Sequence, residues 1–363
     1  MLQRKVYKYR IYPNEAQREF LARQFGATRY VYNCFLDLRI KTYEETGKGL
    51  SYNQTAGMLT ELKKELVWLR EPYSQVLQAA LADLDSAYTN FFAGRTKFPK
   101  FKSKYSKQSC RYAQGLKFSG TQVYLPKLGW VDAVFHRSLN GEVRNATVSK
   151  TKSGKYFISI SVIEDIIPIE PRGKSVGIDL GIKSFATLSS GVTIDNPEYL
   201  RNSERKLRKL ERRLSRKKKG SARRKKARIK LARHHEKIRN KRKDFQHKLS
   251  NSIIRGYDFI AIEDLNIAGM IKNHSLAKSI ADASWAEFVG MLEYKGDHYG
   301  SEVVKINRFL PSSKRHFACG WVNDDLKLSD RVWVCKSCGE EVDRDANAAQ
   351  NILNYATAGV VES

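Results

Sequence analysis

No stretch of about 18 consecutive apolar residues occurs in this sequence, so no transmembrane helix is expected. The N-terminal run Met1-Leu-Gln-Arg-Lys-Val-Tyr-Lys-Tyr-Arg10 is basic but has no apolar segment, so no secretory signal is expected. Cysteine is sparse. Of five, Cys34 and Cys110 stand alone, and Cys319, Cys335 and Cys338 cluster late. That distribution excludes a disulfide scaffold and suits a reducing compartment with one metal site. Acid is scarce too, with 38 Asp and Glu against 66 Lys and Arg and a formal net charge of +28. No internal repeat is present.

The positive charge is concentrated. Residues 201–243 hold 23 Lys and Arg against 3 Glu, a net of +20. A single-sign block of that density repels itself unless a polyanion neutralises it, and nucleic acid is the polyanion expected. A membrane surface is a poorer partner, because the basic stretch lacks a Trp- and Phe-rich apolar face. The expected phosphate-binding residues are Arg205, Lys206, Arg208, Lys209, Arg212, Arg213, Arg216, Lys217, Lys218, Lys219, Arg223, Arg224, Lys225 and Lys226. The bland alternative is a solvated helical hairpin. A second basic segment, 94–104, interleaves Phe98 and Phe101 with Lys100, Lys102 and Lys104. It reads either as a plain loop or as one in which rings stack on bases while lysines hold phosphates.

With 363 residues and 41% hydrophobic content, the chain is long enough for two to four domains with packed cores. Residues 3–12 alternate charged and apolar side chains, which predicts a strand, and Asn14 is placed to cap a helix that follows. Helical spacing continues over about 53–69 and 74–93, and 117–165 is rich in short strand patterns. Together these predict an N-terminal β-barrel, 1–13 and 118–172, with a helical insert at 14–117. Within that insert Tyr52, Asn53, Gln54 and Gln78 are polar candidates for contacting nucleic acid by side-chain chemistry alone, with plain surface as the bland alternative. From 175 a strand, a Gly-Ile-Lys turn and a second strand predict a new α/β domain. Two long helices broken at Gly220-Ser221, a strand at 258–263, a helix near 284–298 and a strand at 302–307 follow. A last helix begins near Asp345.

Cys335 and Cys338 have the spacing that lets two thiolates reach one tetrahedral ion, and His316 and Cys319 form the matching pair fifteen residues upstream. This predicts one structural Zn2+ in a zinc-ribbon module over 313–339. Gly320 and Gly339 each follow the second ligand of a pair, where a knuckle needs backbone freedom.

Three carboxylates stand where metal-dependent phosphodiester chemistry would need them. Asp179 ends the apolar run Val176-Gly-Ile-Asp, Glu263 ends Phe259-Ile-Ala-Ile-Glu, and Asp345 opens the last helix. They are 84 and 82 residues apart, so only folding brings them together. An acid inside an apolar strand is costly unless it has a partner, and Mg2+ favours hard oxygen ligands. Asp264 and Asp343 are competing assignments, and Asp345 alone would also serve as a helix cap.

The residues then resemble a known family. Tyr9-Arg-Ile-Tyr-Pro13, Phe98-Pro-Lys-Phe-Lys-Ser-Lys104, Gly177-Ile-Asp-Leu-Gly-Ile-Lys183, Ile262-Glu-Asp-Leu-Asn266, Ser284-Trp285, Tyr294-Lys295, Pro311-Ser-Ser-Lys314, Leu328-Ser-Asp-Arg331 and Asp343-Arg-Asp-Ala-Asn-Ala-Ala349 are similar to the TnpB family. These are RNA-guided nucleases of bacterial and archaeal insertion sequences, similar to type V CRISPR effector nucleases. The resemblance covers nearly the whole chain. It implies an RNase H-like (RuvC) nuclease domain over 173–312 and 340–363, bearing the basic hairpin 199–251 and interrupted by the zinc module. It also implies a wedge-like N-terminal barrel and a recognition insert. Asp179, Glu263 and Asp345 would be the catalytic, Mg2+-binding triad. The implied partners are a guide RNA from the transposon end and double-stranded target DNA beside a transposon-adjacent motif. The implied setting is a prokaryotic cytoplasm, with activity on the nucleoid. One departure is His316, where the family usually has Cys. Two other classes are kept beside this one: a nuclease-inactive RNA-guided DNA-binding repressor, and a strand-transferring transposase.

Overall fold

The computed structural model describes residues 2–273, 276–327 and 329–359 and divides into two compact units, Leu2–Asp165 and Ile166 onward. Met1, residues 360–363 and Leu328 of the Leu328–Arg331 motif lie outside the described residues. Among the described residues, no helix is long and apolar enough to cross a membrane.

The first unit opens with β1 (Leu2–Tyr12), whose even positions face water and whose Tyr7, Tyr9 and Ile11 are buried. Asn14 then caps α1 (Glu15–Thr46), and its side chain and that of Gln17 satisfy each other's backbone N–H groups. Helices α2 (Tyr52–Glu65) and α3 (Ser74–Phe92) follow, separated by a 3-10 turn at Val67–Arg70. Strands β2 (Gln108–Tyr112), β3 (Lys117–Ser119), β4 (Gln122–Leu125), β5 (Gly129–Val134), β6 (Glu142–Lys150) and β7 (Tyr156–Asp165) complete one antiparallel sheet in the order β2-β6-β7-β1-β5-β4-β3.

The expected closed barrel is therefore an open, curled sheet that ends at β2 and β3. β3 has only three residues, all exposed, so it offers little ladder for closure. Leu21 and Phe25 of α1 and Val76 of α3 fill the core instead. β2 lies in the stretch expected to be helical insert. The buried amide of Gln24 on α1 ties that strand down, donating to Tyr112 Oη at 2.6 Å.

The second unit is built on β8 (Ser175–Asp179), β9 (Ser184–Leu188) and β10 (Thr193–Asp195). Two long helices follow, α4 (Tyr199–Ser215) and α5 (Ala222–Gly256), then β11 (Phe259–Glu263). Short helices α6 (Ile267–Met270) and α7 (Ala277–Ala283) lead to α8 (Trp285–Tyr299) and β12 (Glu302–Ile306). The hairpin β13 (Val332–Val334) and β14 (Glu341–Asp343) precedes α9 (Arg344–Thr357). The main sheet runs β10-β9-β8-β11-β12. β9 runs antiparallel to both of its neighbours, β10 and β8, and β8, β11 and β12 are parallel.

Strand alternation sorts this sheet into two faces. Val176, Ile178, Ile260 and Ile262 pack with Ile253 and Ile254 of α5 and with Phe288 and Leu292 of α8. Ala261 and Ile306 pack on the other face with Ile352 and Ala356 of α9. Gly177 and Asp179 alternate with Val176 and Ile178, so they belong to the α9 side.

The contact there is close. A Cβ on Gly177 would overlap the carbonyl oxygen of Ala349 and come within 2.8 Å of the Leu353 backbone nitrogen. Neither atom can yield, because both are helix backbone. Gly177→Ala is expected to destabilise the chain by about 3 kcal/mol through overpacking, measured by denaturant unfolding. A cost as small as that of an exposed-site substitution would remove this account of how α9 is seated.

Candidate active site and metal centre

The register of β8 and β11 brings the first two carboxylates side by side. Ile178 pairs with Ile262, and Asp179 and Glu263 each follow as the last residue of a parallel strand. The third arrives on α9. Asp345 lies one turn before Ala349, whose backbone rests on Gly177, and Gly177 is two residues before Asp179 on the same strand face. The carboxylates therefore meet at one end of the sheet.

Their mutual repulsion is visible in Asp179. Its carboxyl is pushed up to about 7, first by burial and then by the charges of Asp345 and Glu263, with Arg344 and Arg331 opposing. Some of its surface remains accessible, so the group is deep without being sealed. Glu263 is also raised, mainly by burial, with Arg308 opposing and Asp264 adding to the shift. Asp345 is held by two arginines. Arg331 Nη1 reaches both its oxygens at 3.2 and 2.9 Å, and Arg344 Nη2 donates to Oδ1 at 2.9 Å.

The competing acids have other employment. Asp343 is the N-cap of α9, accepting the Ala346 N–H at 2.8 Å, which leaves Asp345 free of that role. Asp264 pairs with Arg308.

The segment 343–349 divides its tasks by position. Asp343 caps, Asp345 faces the other acids, and Ala348 and Ala349 are small enough for close packing. Asn347 is buried and clamps the start of the zinc module. Its amide donates to Arg315 O at 2.7 Å, and its Oδ1 accepts the Phe317 N–H at 2.9 Å. Asn351, one turn on, donates to Ser312 O at 2.8 Å. Sequence reasoning missed both asparagines. The signal available was an amide at i and i+4 on an otherwise apolar helix face.

The four expected zinc ligands converge. One donor atom from each of His316, Cys319, Cys335 and Cys338 lies within 4.8 Å of all the others. Cys319 Sγ is 3.5 Å from Cys335 Sγ, and His316 Nδ1 is 3.2 Å from Cys319 Sγ and 3.4 Å from Cys338 Sγ. A tetrahedral zinc with ordinary bond lengths needs edges of about 3.8 Å between sulfurs and about 3.5 Å from nitrogen to sulfur, so the donor set fits. His316 is fully buried and offers Nδ1 to the thiols, while the Glu340 carboxylate lies 3.4 Å from Nε2. A carboxylate there can orient a ligand imidazole.

Gly320 and Gly339 both have φ of 77°, and their N–H groups close the two knuckles onto His316 O and Cys335 O. Burial would raise the Cys335 thiol, yet backbone N–H groups of Cys338 and Ser337 and the thiols of Cys319 and Cys338 bring it down to about 6. A thiol that ionises that readily suits a metal ligand.

The basic hairpin is anchored by Asp282, which sequence reasoning did not single out, and by the leucine stripe that its spacing predicts. The carboxylate of Asp282 accepts the Leu200 N–H at 2.8 Å at the start of α4. Leu207 and Leu210 bury one stripe of that helix. Thirteen of the fourteen expected phosphate-binding residues are exposed. The exception, Arg224, is turned inward and closes the hairpin by donating to Leu214 O and Lys217 O. Arg208 is paired with Glu204.

In the first unit, Phe98 packs edge-on against Tyr88 and Phe91, and the Lys102 ammonium sits 3.5 Å from the centre of the Tyr32 ring. Lys100, Phe101 and Lys104 are exposed. Of the polar candidates in the helical segment, Gln54 is used in the cap of α2.

Two outcomes are expected. Chain purified without added metal should carry stoichiometric zinc, and Cys338→Ser should lose both the zinc and folding stability, because a structural site contributes folding energy. Elemental analysis and thermal melts check this. The second concerns Asp179. Its folded value lies above its unfolded one, so stability is present at low pH and is lost as pH rises from about 4 through about 7. Asp179→Asn should remove that slope. In metal-free melts the variant should exceed wild type by up to a few kcal/mol above pH 7, with the difference vanishing near pH 4.

Comparison with known proteins identifies the family. A family model described as "Probable transposase" (OrfB of IS605) matches residues 157–274, and a "Cas12f1-like, TNB domain" model matches 285–352. A "Helix-turn-helix domain" model matches 1–48, where this structure has one strand and one continuous helix. A protein of Streptomyces pristinaespiralis named "Putative RNA-guided DNA endonuclease" is 43% identical over 96% of this chain and 89% of its own length. Escherichia coli K12 "Putative RNA-guided DNA endonuclease InsQ" is 34% identical over 96% and 91%. A mimivirus "TnpB-like protein L79" is 25% identical over 95% and 72%. Among solved structures, a Cas12f1 chain from a complex with sgRNA and target DNA superposes with a TM-score of 0.65 at 13% identity, covering 97% of this chain and 99% of that one, which establishes a shared fold. By the identity and coverage of these relatives, the chain belongs to the TnpB (IS605 OrfB) family.

Proposed function

We propose that the chain is an RNA-guided DNA endonuclease of a prokaryotic insertion sequence, which cuts target DNA beside a transposon-adjacent motif by metal-dependent phosphodiester hydrolysis. The observation that carries this reading is the meeting of Asp179, Glu263 and Asp345 at one end of the sheet. The strand order β10-β9-β8-β11-β12, with an antiparallel first hairpin and parallel later strands, is the order an RNase H-like sheet would have. It supports a RuvC-like domain over 173–312 and 340–363 around the zinc module 313–339. The remaining proposed divisions are the wedge-like segments 1–13 and 118–172 and the recognition insert 14–117, from which β2 is excepted because it pairs into the sheet of the wedge-like segments. The repressor reading would leave the energetic cost of an assembled acidic cluster without a use.

Three hard oxygen donors with unbalanced negative charge fit Mg2+. Asp179, Glu263 and Asp345 would hold it. When bound, divalent metal supplies an activated water and charge balance for the leaving oxygen. The chain's own residues do the rest. Asp179 and Glu263 are positioned by strand register, Asp345 by the α9 contact with Gly177. Arg331 and Arg344 offset the charge of Asp345. The exposed charges of α4 and α5 would hold RNA or DNA phosphates, and their contribution would fall steeply with salt. Arg224 is reassigned to holding the hairpin turn. The proposed partners are the transposon-end guide RNA and double-stranded target DNA, and the proposed setting is the cytoplasm of a prokaryotic cell.

The test is co-expression with the flanking transposon-end RNA, followed by cleavage of plasmids bearing a matched target beside a randomised flank. Cutting should require Mg2+, favour one flank, and fall below about a thousandth of the wild-type rate in Asp179→Ala and Glu263→Ala. RNA and target binding should persist in both variants. Binding without cutting by wild type would favour the repressor, and joined rather than cut ends would favour a transposase.

A further inference from the structure

The turn that leaves β12 carries a ring that the fold does not use. Phe309 is 85% exposed. Among the described residues no ring or cation packs against it, unlike exposed Phe92, which stacks with Tyr88 and Phe91. A phenyl ring so placed forgoes the burial that its residue type usually finds.

Its neighbours in the chain are all engaged. Arg308 before it is paired with Asp264. Leu310 after it packs on Ala261, Ile306, Ile352 and Ala356. The Phe309 N–H donates to Asn307 Oδ1 at 2.8 Å, the Leu310 N–H to Asn307 O at 3.2 Å, and the Ser312 N–H to Leu310 O at 2.8 Å. The turn is thus fastened on both sides and presents its apex ring outward by construction.

The location is specific. Ile306, the last residue of β12, pairs with Glu263, and its carbonyl accepts the Asp264 N–H at 3.0 Å. The Arg308 guanidinium rests on Asp264, the residue after Glu263. Phe309 therefore stands at the carboxylate end of the sheet, beside the place where a nucleic-acid strand must pass to reach the three acids. A solvent-facing ring carried on a fastened turn is what an unpaired base stacks on.

We propose that Phe309 is a stacking platform for an unpaired nucleobase of the strand that enters the carboxylate site. This rests on the nuclease reading of that site. It assigns the ring a role in substrate binding, with no part in bond making or breaking.

The test uses the full, zinc-loaded chain with its guide RNA, in buffer without magnesium so that no cutting occurs. The probes are single-stranded DNA oligonucleotides with 2-aminopurine at successive positions. Wild type should quench the fluorescence of one position on binding. Phe309→Trp should keep that quench, and Phe309→Ala and Phe309→Leu should lose it and weaken affinity by about 5- to 150-fold. The salt dependence of binding should stay unchanged, because no phosphate contact is removed. Unaltered affinity and quench in both Phe309→Ala and Phe309→Leu would overturn the proposal, and Phe309→Leu guards against a folding defect from the smaller side chain. The readouts need no cleavage. If wild type fails to cut in Mg2+ while the Phe309-dependent quench holds, the nuclease reading falls and the stacking site stands. If wild type cuts and both variants bind as wild type does, the stacking proposal falls alone.

Discussion

Three like-charged carboxylates held at one sheet end repel one another, and the second unit is arranged to keep them there. The arrangement depends on one close contact, the backbone of α9 against Gly177. Asp179 and Glu263 are adjacent through hydrogen-bonded register and would remain so without the helix. Asp345 has no such tie and reaches them only because a residue without a side chain lets the helix backbone settle on β8. Ala261, Ala348 and Ala349 are fully buried, and Ala261 packs with Ile352 and Ala356 of α9. Burial of Asp179 follows from the same contact, and with it the rise of its carboxyl to about 7.

The zinc module is tied to this arrangement by backbone and amide bonds. Asn347 and Asn351 hold carbonyls of 312 and 315, immediately before His316. The Arg344 N–H donates to Arg331 O, and Arg331 in turn pairs with Asp345. The module thus brackets the first turn of α9, with the histidine knuckle held by its amides and the cysteine hairpin leading straight into it. Zinc in this account is structural, yet the backbone on either side of its ligand His316 is bonded to Asn347, two residues from the acid that would ligate magnesium. His316 offers Nδ1 to the thiols as a fourth cysteine would offer sulfur, and the Glu340 carboxylate lies beside the outer nitrogen.

Much of this was legible because local chemistry marks it. An acid closing an apolar strand, paired knuckle ligands followed by glycine, and an asparagine placed to cap the helix after it each carry their reason within a few residues. Asp345 was legible as a candidate, while its separation from Asp343 needed the observed cap. What escaped depends on distant partners. Asp282 caps a helix some eighty residues away in sequence. Arg224 reads as one more phosphate binder until its carbonyl acceptors are seen, and Lys102 reads as free until it is found on Tyr32. The barrel expectation held only in part, as a curled sheet that stays open, because alternation predicts strands without saying whether the last one is long enough to close a sheet, or whether a helix fills the opening first. Gly177 was legible as part of a motif but not as a packing device, since the helix it admits begins 167 residues later.

The central claim is that the three carboxylates form one cation site. Titrating Mn2+ into the zinc-loaded, magnesium-free chain at about pH 8, above the Asp179 transition, and following free Mn2+ by electron paramagnetic resonance tests it most directly. The account predicts binding in wild type and in Asp343→Asn, and its loss in Asp179→Asn, Glu263→Gln and Asp345→Asn alike. Equal binding in all five chains, or loss only in Asp343→Asn, would contradict it.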